Sequence, residues 1–250
     1  MVTVNIKVMN FSGVYGEPEY GFPDGARIID FTALEGTSCY CDASAAERIR
    51  CHFDRAEKSL NFIDSGDYHY VTALRLERIR EPFSLVLADN HPDMQAPAFG
   101  GDILSCGGWV RRALERTPML QRVIIIGIDP DLAKETEGFG GRVTVLPREV
   151  TDSGAKQIAA LKTWLEASGE PIYLSVDKDV LAPAYASTDW DQGTMALETL
   201  LDICGAVAGS RKLLGADVCG ELPASKGGTH ADFVKNSVAN SSILERICYI

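Results

Sequence analysis

The sequence predicts an α/β fold built on one mostly parallel sheet with helices on both faces. Three observations carry this. Short β-rich runs alternate with amphipathic helical patterns along almost the whole chain, the order that yields parallel strands joined by crossover helices. Several runs are near-continuously apolar, as strands covered on both faces are. The chain has 250 residues, 46% hydrophobic and 24% charged, enough to bury one large core.

Taken in order, strands are expected at residues 2–11, 26–34, 59–65, 83–89, 122–128, 142–147, 171–177 and 212–218. Helices are expected between them. SAAERIRCHF at 44–53 opens on a capping box of Ser44 and Glu47. ILSCGGWVRRALER at 103–116 follows, then 154–168, 194–209 and the closing helix 230–248. The segment 129–141 reads as a flexible loop too short to divide domains. With no Ser/Pro-rich linker, repeat or low-complexity tract, residues 1–250 read as a single domain.

A formal net charge of −11 argues against nucleic acid or an anionic membrane surface as partner, and is compatible with a cationic substrate. Seven cysteines (39, 41, 51, 106, 204, 219 and 248) form no disulfide-like spacing, which fits a reducing compartment. The N-terminus does not read as a signal peptide, and no apolar run approaches ~18 residues, so the protein is expected in the cytoplasm.

The chemistry is expected beyond the carboxyl ends of the strands, where open α/β sheets bind ligands. Four strands run into polar residues there: Asp67 and His69; Asp89, His91 and Asp93; Asp177 and Asp179; Asp217 and Glu221. Acids in D-x-H-x-D and D-x-D alternate onto one side of an extended segment and repel one another unless something positive holds them. The bland reading is that each acid caps a loop or helix. The sharper one is a hard, oxygen-rich site for Mn²⁺, or for Fe²⁺, Co²⁺ or Ni²⁺, with enough carboxylates for a pair of ions sharing an activated water. That reading makes the protein a hydrolase.

Asp89/His91/Asp93 after one strand and Ser175/Asp177/Asp179 after a later one resemble the ureohydrolase superfamily of arginase, agmatinase and formimidoylglutamase. The resemblance implies a three-layer α/β/α sandwich with a roughly eight-stranded sheet, and two manganese ions per subunit. It implies His69, Asp89, Asp93 and Asp177 around one ion and His91, Asp89, Asp177 and Asp179 around the other. A hydroxide between the metals then attacks a guanidinium carbon and urea is released, with Asp93 moving a proton to the leaving amine. Glu221, in a D-x-x-E motif lengthened by one residue, would pair with the guanidinium.

The pattern also departs from the family. SGDYHY carries one extra residue before His69, and Asn90 and Lys178 interrupt the motifs. Lys178 is expected to point away from the metals. No Ser-Gly-Asn-x-His-Gly stretch follows, and the asparagine that reads an amino-acid head group is replaced at best by Gln95. Loss of head-group contacts would fit an arginine side chain within a peptide, giving ornithine; free L-arginine, an arginyl peptide, agmatine and a smaller guanidine all stay open, in falling order of preference. Trp190 is expected either to stack on a guanidinium or to anchor its loop. His52 and His230 read as surface or capping residues, and GFGG at 138–141 claims no nucleotide. Two alternatives stand beside this reading: a zinc-dependent deacetylase-like amidohydrolase, which the absence of any His-His pair disfavours, and a non-catalytic metal-binding relative. By the same resemblance a homo-oligomer is expected.

Overall fold

The structure, a computed structural model, describes residues 5–54, 58–97, 101–148, 154–167, 169–210 and 212–248. Its strands in chain order are β1 (Asn5–Asn10), β2 (Arg27–Asp30), β3 (Tyr40–Cys41), β4 (Ser59–Phe62) and β5 (Phe83–Ala88), then β6 (Leu104–Ser105), β7 (Leu120–Ile126), β8 (Val143–Leu146), β9 (Ile172–Asp177) and β10 (Leu213–Cys219). The α-helices are α1 (Ala43–Arg50), α2 (Val71–Leu76), α3 (Trp109–Arg116), α4 (Ala155–Glu166), α5 (Leu197–Ser210) and α6 (His230–Cys248).

Eight strands form the predicted sheet in the order β2-β1-β4-β10-β9-β5-β7-β8, every neighbouring pair parallel. Every residue of β4, β5 and β9 is buried, as their apolar runs require of strands covered on both sides. Alternation divides their side chains between two cores. Leu85 and Leu87 of β5 join one core with α1, α2 and α3. Val86 and Ala88 join the other with α4, α5 and α6. The result is the three-layer sandwich. Among the described residues no helix is long and apolar enough to cross a membrane.

Strand order explains where a site can form. The chain lays β1, β2 and β4 toward one edge, then crosses to β5 and builds β7 and β8 toward the other. β9 and β10 enter last and fill the middle. The four strands expected to end in polar residues are thus contiguous at the centre, as β4, β10, β9 and β5.

Several local expectations are corrected. The segment 103–116 is not one helix: Leu104–Ser105 pairs antiparallel with Tyr40–Cys41, and the α-helix begins only at Trp109. Gly107 and Gly108 cause the break, since their backbone packs so tightly against Gln95 that a Cβ on either would approach it within about 3.0–3.1 Å. α1 is capped by Asp42, not Ser44, because the Asp42 carboxylate accepts the Ala45 N–H at 2.8 Å while Glu47 pairs with Arg50. The segment 129–141 is ordered into 3₁₀ turns at Pro130–Thr136 and Gly140–Arg142. β2 stops at Asp30, whose carboxylate turns the chain by accepting Thr32 N–H. The short α2 was not expected. Residues 2–4, 168 and part of the loop before α4 lie outside the described residues.

Asp64 knits the loops above β1, β4 and β10. Its buried carboxylate accepts Phe11 N–H, Ser12 N–H, Ser12 Oγ–H and Ser65 N–H at 2.7–2.8 Å, and its carbonyl accepts Glu221 N–H. It does so with φ 72, in the left-handed region that Asp tolerates better than most residues. Asp64→Ala strands these donors and places a Cβ-only residue in that region. It should cost about 3–5 kcal/mol in urea denaturation, with Asp64→Asn falling between Ala and wild type.

Candidate metal centre

Each expected ligand is delivered by the end of a central strand. β4 leads through a 3₁₀ turn at Gly66–Tyr68 to His69, β5 leads to Asp89, and β9 ends at Asp177. His69 Nε2 lies 2.9 Å from Ser175 Oγ on β9, which orients the ring so that Nδ1 faces the acids. From Nδ1 it is 3.1 Å to Asp93 Oδ2, 3.3 Å to Asp89 Oδ2 and 3.4 Å to Asp177 Oδ2. His91 Nδ1 lies 2.8 Å from Asp179 Oδ2 and 3.7 Å from Asp89 Oδ1. All six candidate ligands converge in overlapping groups, His69/Asp89/Asp93, His69/Asp177/Cys219 and Asp89/His91/Asp179.

The capping reading holds for one oxygen of three of these acids, and leaves the other oxygen free for a metal. Asp89 Oδ1 accepts His91 N–H, Asp177 Oδ1 accepts Asp179 N–H, and Asp179 Oδ1 accepts Asn90 N–H. These bonds stiffen the loops and aim the remaining oxygens inward. Asp89 Oδ2 and His69 Nδ1 are then buried with no hydrogen-bond partner. Orphaned buried atoms of this kind are costly unless an unseen group satisfies them, and a cation fits both a carboxylate oxygen and an imidazole lone pair.

Electrostatics point the same way. Burial, then the charges of Asp177 and Asp89, raises Asp179 well above the usual carboxylate range. Burial and the charge of Asp89 push Asp93 up to about 7. Burial works against charge on His91, yet hydrogen bonds donated to the Asp179 and Asp89 carboxylates bring it up to about 12. Protons thus offset a crowd of negative charge in the cluster. A divalent cation does the same more strongly and must displace those protons, so its affinity falls with acidity.

Asp93 adopts φ 51 and is fixed by the Trp109 indole, whose Nε1–H donates to Asp93 Oδ2 at 2.6 Å. The cluster floors a cavity of about 200 Å³, room for a small polar group on an alkyl stem rather than a large ligand. Gln95 is exposed and lines its rim. Trp190 lies along the wall, 43% exposed, its Nε1–H donating to Asp67 Oδ1 at 3.1 Å. Gly66 permits this approach, since a Cβ there would meet the indole at 2.7 Å. Asp67 is in turn held by Lys226 at 2.6 Å, which also pairs with Asp189.

Glu221 is a correction. It does not line the cavity: its carboxylate is wholly buried and accepts from Lys178 Nζ at 2.5 Å, Tyr20 Oη at 2.8 Å and Asn240 Nδ2 at 2.8 Å. The residue inserted into D-x-x-E turns it beneath the sheet edge, where it neutralises Lys178, the residue that alternation points away from Asp177 and Asp179. Asp217 is likewise occupied, by Asn61 at 2.6 Å and Tyr173 at 2.7 Å. His52 meets Arg27 and His230 meets Glu19, both at the surface.

Trp109 and Glu135 were missed as parts of the site. Glu135 lines the cavity from the 3₁₀ turn after β7, and Tyr40 and Cys39 line it from β3 and the residue before it. No spacing in the sequence links these residues to the acids. Cys106 and Cys219 do lie near the site in the sequence, with no neighbouring His to make either a nucleophile; the strand order, which sets β10 beside β9, brings Cys219 against Asp177.

A model of the Arginase family matches residues 45–243. An uncharacterised protein of Thermotoga maritima is 29% identical over 221 residues, spanning 88% of this chain and 81% of the relative. Among solved structures, formimidoylglutamase from Bacillus subtilis superposes with a TM-score of 0.72 at 14% identity, over 98% of this chain and 85% of that one. Proclavaminate amidino hydrolase from Streptomyces clavuligerus superposes with a TM-score of 0.68 at 18% identity, over 98% and 92%. At such identities the likeness is one of fold.

Two outcomes follow from this geometry. A divalent transition-metal cation at a hundredfold excess over its Kd should raise Tm by roughly 5–10 °C, and by less as pH falls. Asp89→Asn should abolish that rise and should also cost the metal-free protein stability, since His69 and His91 beside the buried carboxylate hold it in its charged form. Glu221→Gln should behave differently in differential scanning fluorimetry and chemical denaturation. It strands the Lys178 charge at a cost of about 3–5 kcal/mol, yet keeps the cation-induced rise.

Proposed function

The chain belongs to the arginase family, and from that premise we propose that it is a metal-dependent hydrolase of amidino C–N bonds, releasing urea from an arginine-like guanidino compound. The single observation that supports this most is the convergence of six ligand-capable side chains at one end of the cavity, with Asp89 Oδ2 and His69 Nδ1 buried 3.3 Å apart and neither making a hydrogen bond. His69, Asp89, Asp93 and Asp177 would hold one divalent cation, and His91, Asp89, Asp177 and Asp179 a second, with Asp89 and Asp177 shared. The oxygen-rich set suits manganese. Bound there, the pair supplies a water acidic enough to act as hydroxide at neutral pH.

The chain's own residues do the rest. Asp93 is the proton carrier, since Trp109 and its own backbone conformation hold one carboxylate oxygen at the cavity floor. Trp190 offers a flat aromatic face beside His91, a surface on which a planar guanidinium can lie. With Glu221 occupied by Lys178, Glu135 is, among the described residues, the lining carboxylate outside the ligand set, and it takes over the pairing with the substrate's cation. The loops that would read a free amino-acid head group present exposed Gln95 and, among the described residues, no lysine or arginine at the cavity wall. An arginine side chain carried on a peptide fits such an open mouth better than free L-arginine.

Elemental analysis of protein prepared with manganese, paired with a urea-release assay on L-arginine, agmatine and an arginyl peptide, tests the proposal. The expected result is two metals per subunit and urea from the peptide in excess of the free amino acid. Trp190→Ala should then raise KM by roughly tenfold with a smaller change in kcat. Bound metal without urea from any arm would overturn the reaction, and protein without metal would overturn the site.

A further inference from the structure

A side chain outside the expected ligand set reaches the same centre. Cys219 closes β10 in direct register with Asp177 at the end of β9, so the two leave neighbouring strands on the same face. Cys219 Sγ lies 3.0 Å from Asp177 Oδ2, and the residue is wholly buried. Asp177 Oδ2 is itself 3.4 Å from His69 Nδ1, the nitrogen that has no hydrogen-bond partner. The ligand-capable atoms of His69, Asp177 and Cys219 all fall within 4.8 Å of one another. Gly220 keeps the contact close: with φ 91, its place would bring a Cβ to 2.5 Å from Asp177 Oδ1.

We propose that Cys219 is a sulfur ligand of the metal centre, bound on the side of His69 and Asp177. The inference rests on the metal-centre reading above and extends it. On binding, the S–H bond breaks, its proton passes to solvent, and the sulfur electron pair forms the bond to the cation, with no change in oxidation state. The donor set is then mixed oxygen, nitrogen and sulfur. A thiolate favours zinc, iron or cobalt over manganese relative to a site of oxygen and nitrogen alone. Two other cysteines, Cys39 and Cys106, line the cavity but belong to none of the ligand groups found among the described residues.

Cobalt(II) is the probe, added to the metal-free full-length chain. Its visible d–d bands report occupancy of the cluster, and a sulfur-to-cobalt charge-transfer band in the near ultraviolet reports a thiolate ligand. Wild type should show both. Cys219→Ser should keep the d–d bands and lose the charge-transfer band, while Cys106→Ser should keep both. Competition between manganese and zinc should shift toward manganese by roughly tenfold or more in Cys219→Ser. Wild-type d–d bands without charge transfer, or charge transfer that persists in Cys219→Ser, would overturn the sulfur ligand and leave the metal centre standing. Absence of any d–d bands in wild type would overturn both.

Discussion

Four carboxylates crowded at the centre of one sheet edge are the constraint on which the rest of this molecule turns. Asp89, Asp93, Asp177 and Asp179 are each buried; the charges of Asp177 and Asp89 raise the cost of charging Asp179, and that of Asp89 the cost of charging Asp93. A parallel sheet brings such groups together because all its strands end on the same side. It also limits how far they can retreat, since β5 and β9 are packed on both faces and cannot shift without opening two cores. The strain is taken up locally: Asp89, Asp177 and Asp179 each give one oxygen to a backbone N–H of their own or a neighbouring loop and turn the other toward the imidazoles, while Asp93 is held by the Trp109 indole. The loops are rigid for the same reason that the centre is highly charged.

Around that centre the charges are sorted by depth. Lys178 sits between two of the acids in sequence but on the opposite face of the chain, where Glu221 and Asn240 hold its ammonium and Tyr20 braces Glu221. Lys226 stands at the rim and ties Asp67 to Asp189, which steadies the Trp190 loop without placing a cation in the cavity. Neither lysine competes for the inward-facing oxygens. Among the described residues the cavity wall keeps one carboxylate outside the cluster, that of Glu135, together with the half-exposed indole, a pairing suited to a planar cation.

Much of the fold could be read from the chain because its signals were local. Apolar runs such as those of β5, β7 and β9 mark doubly covered strands whatever their neighbours, and the acids that follow them announce the functional edge. The misses were long-range. Leu104–Ser105 is a strand only because Tyr40–Cys41 lies beside it, and α2 is too short for any helical period to register. Asp42 caps α1 because it stood two residues before the motif that drew notice. Glu221 carried the family's spacing nearly enough to suggest a role in binding, yet one inserted residue turned its side chain toward Lys178. Trp109 lacked any spacing to betray it, since the start of α3 packs against Asp93 only in the fold, and it is the pairing of β10 with β9 that sets Cys219 against Asp177.

The order in which the sheet fills also bears on how the protein is made. β4 and β5 flank a slot that β9 and β10 occupy, and Asn61 waits for a hydrogen bond to Asp217, 156 residues further along. A chain emerging from the ribosome therefore holds His69, Asp89, His91 and Asp93 on strands not yet joined through the middle. Contacts at that sequence separation form slowly and carry a large closure entropy. The half-built sheet presents two open inner edges until the last third of the polypeptide arrives, edges that another unfinished chain could pair with. Synthesis past Cys219 is thus what closes the sheet against aggregation and, in the same event, gathers the ligands.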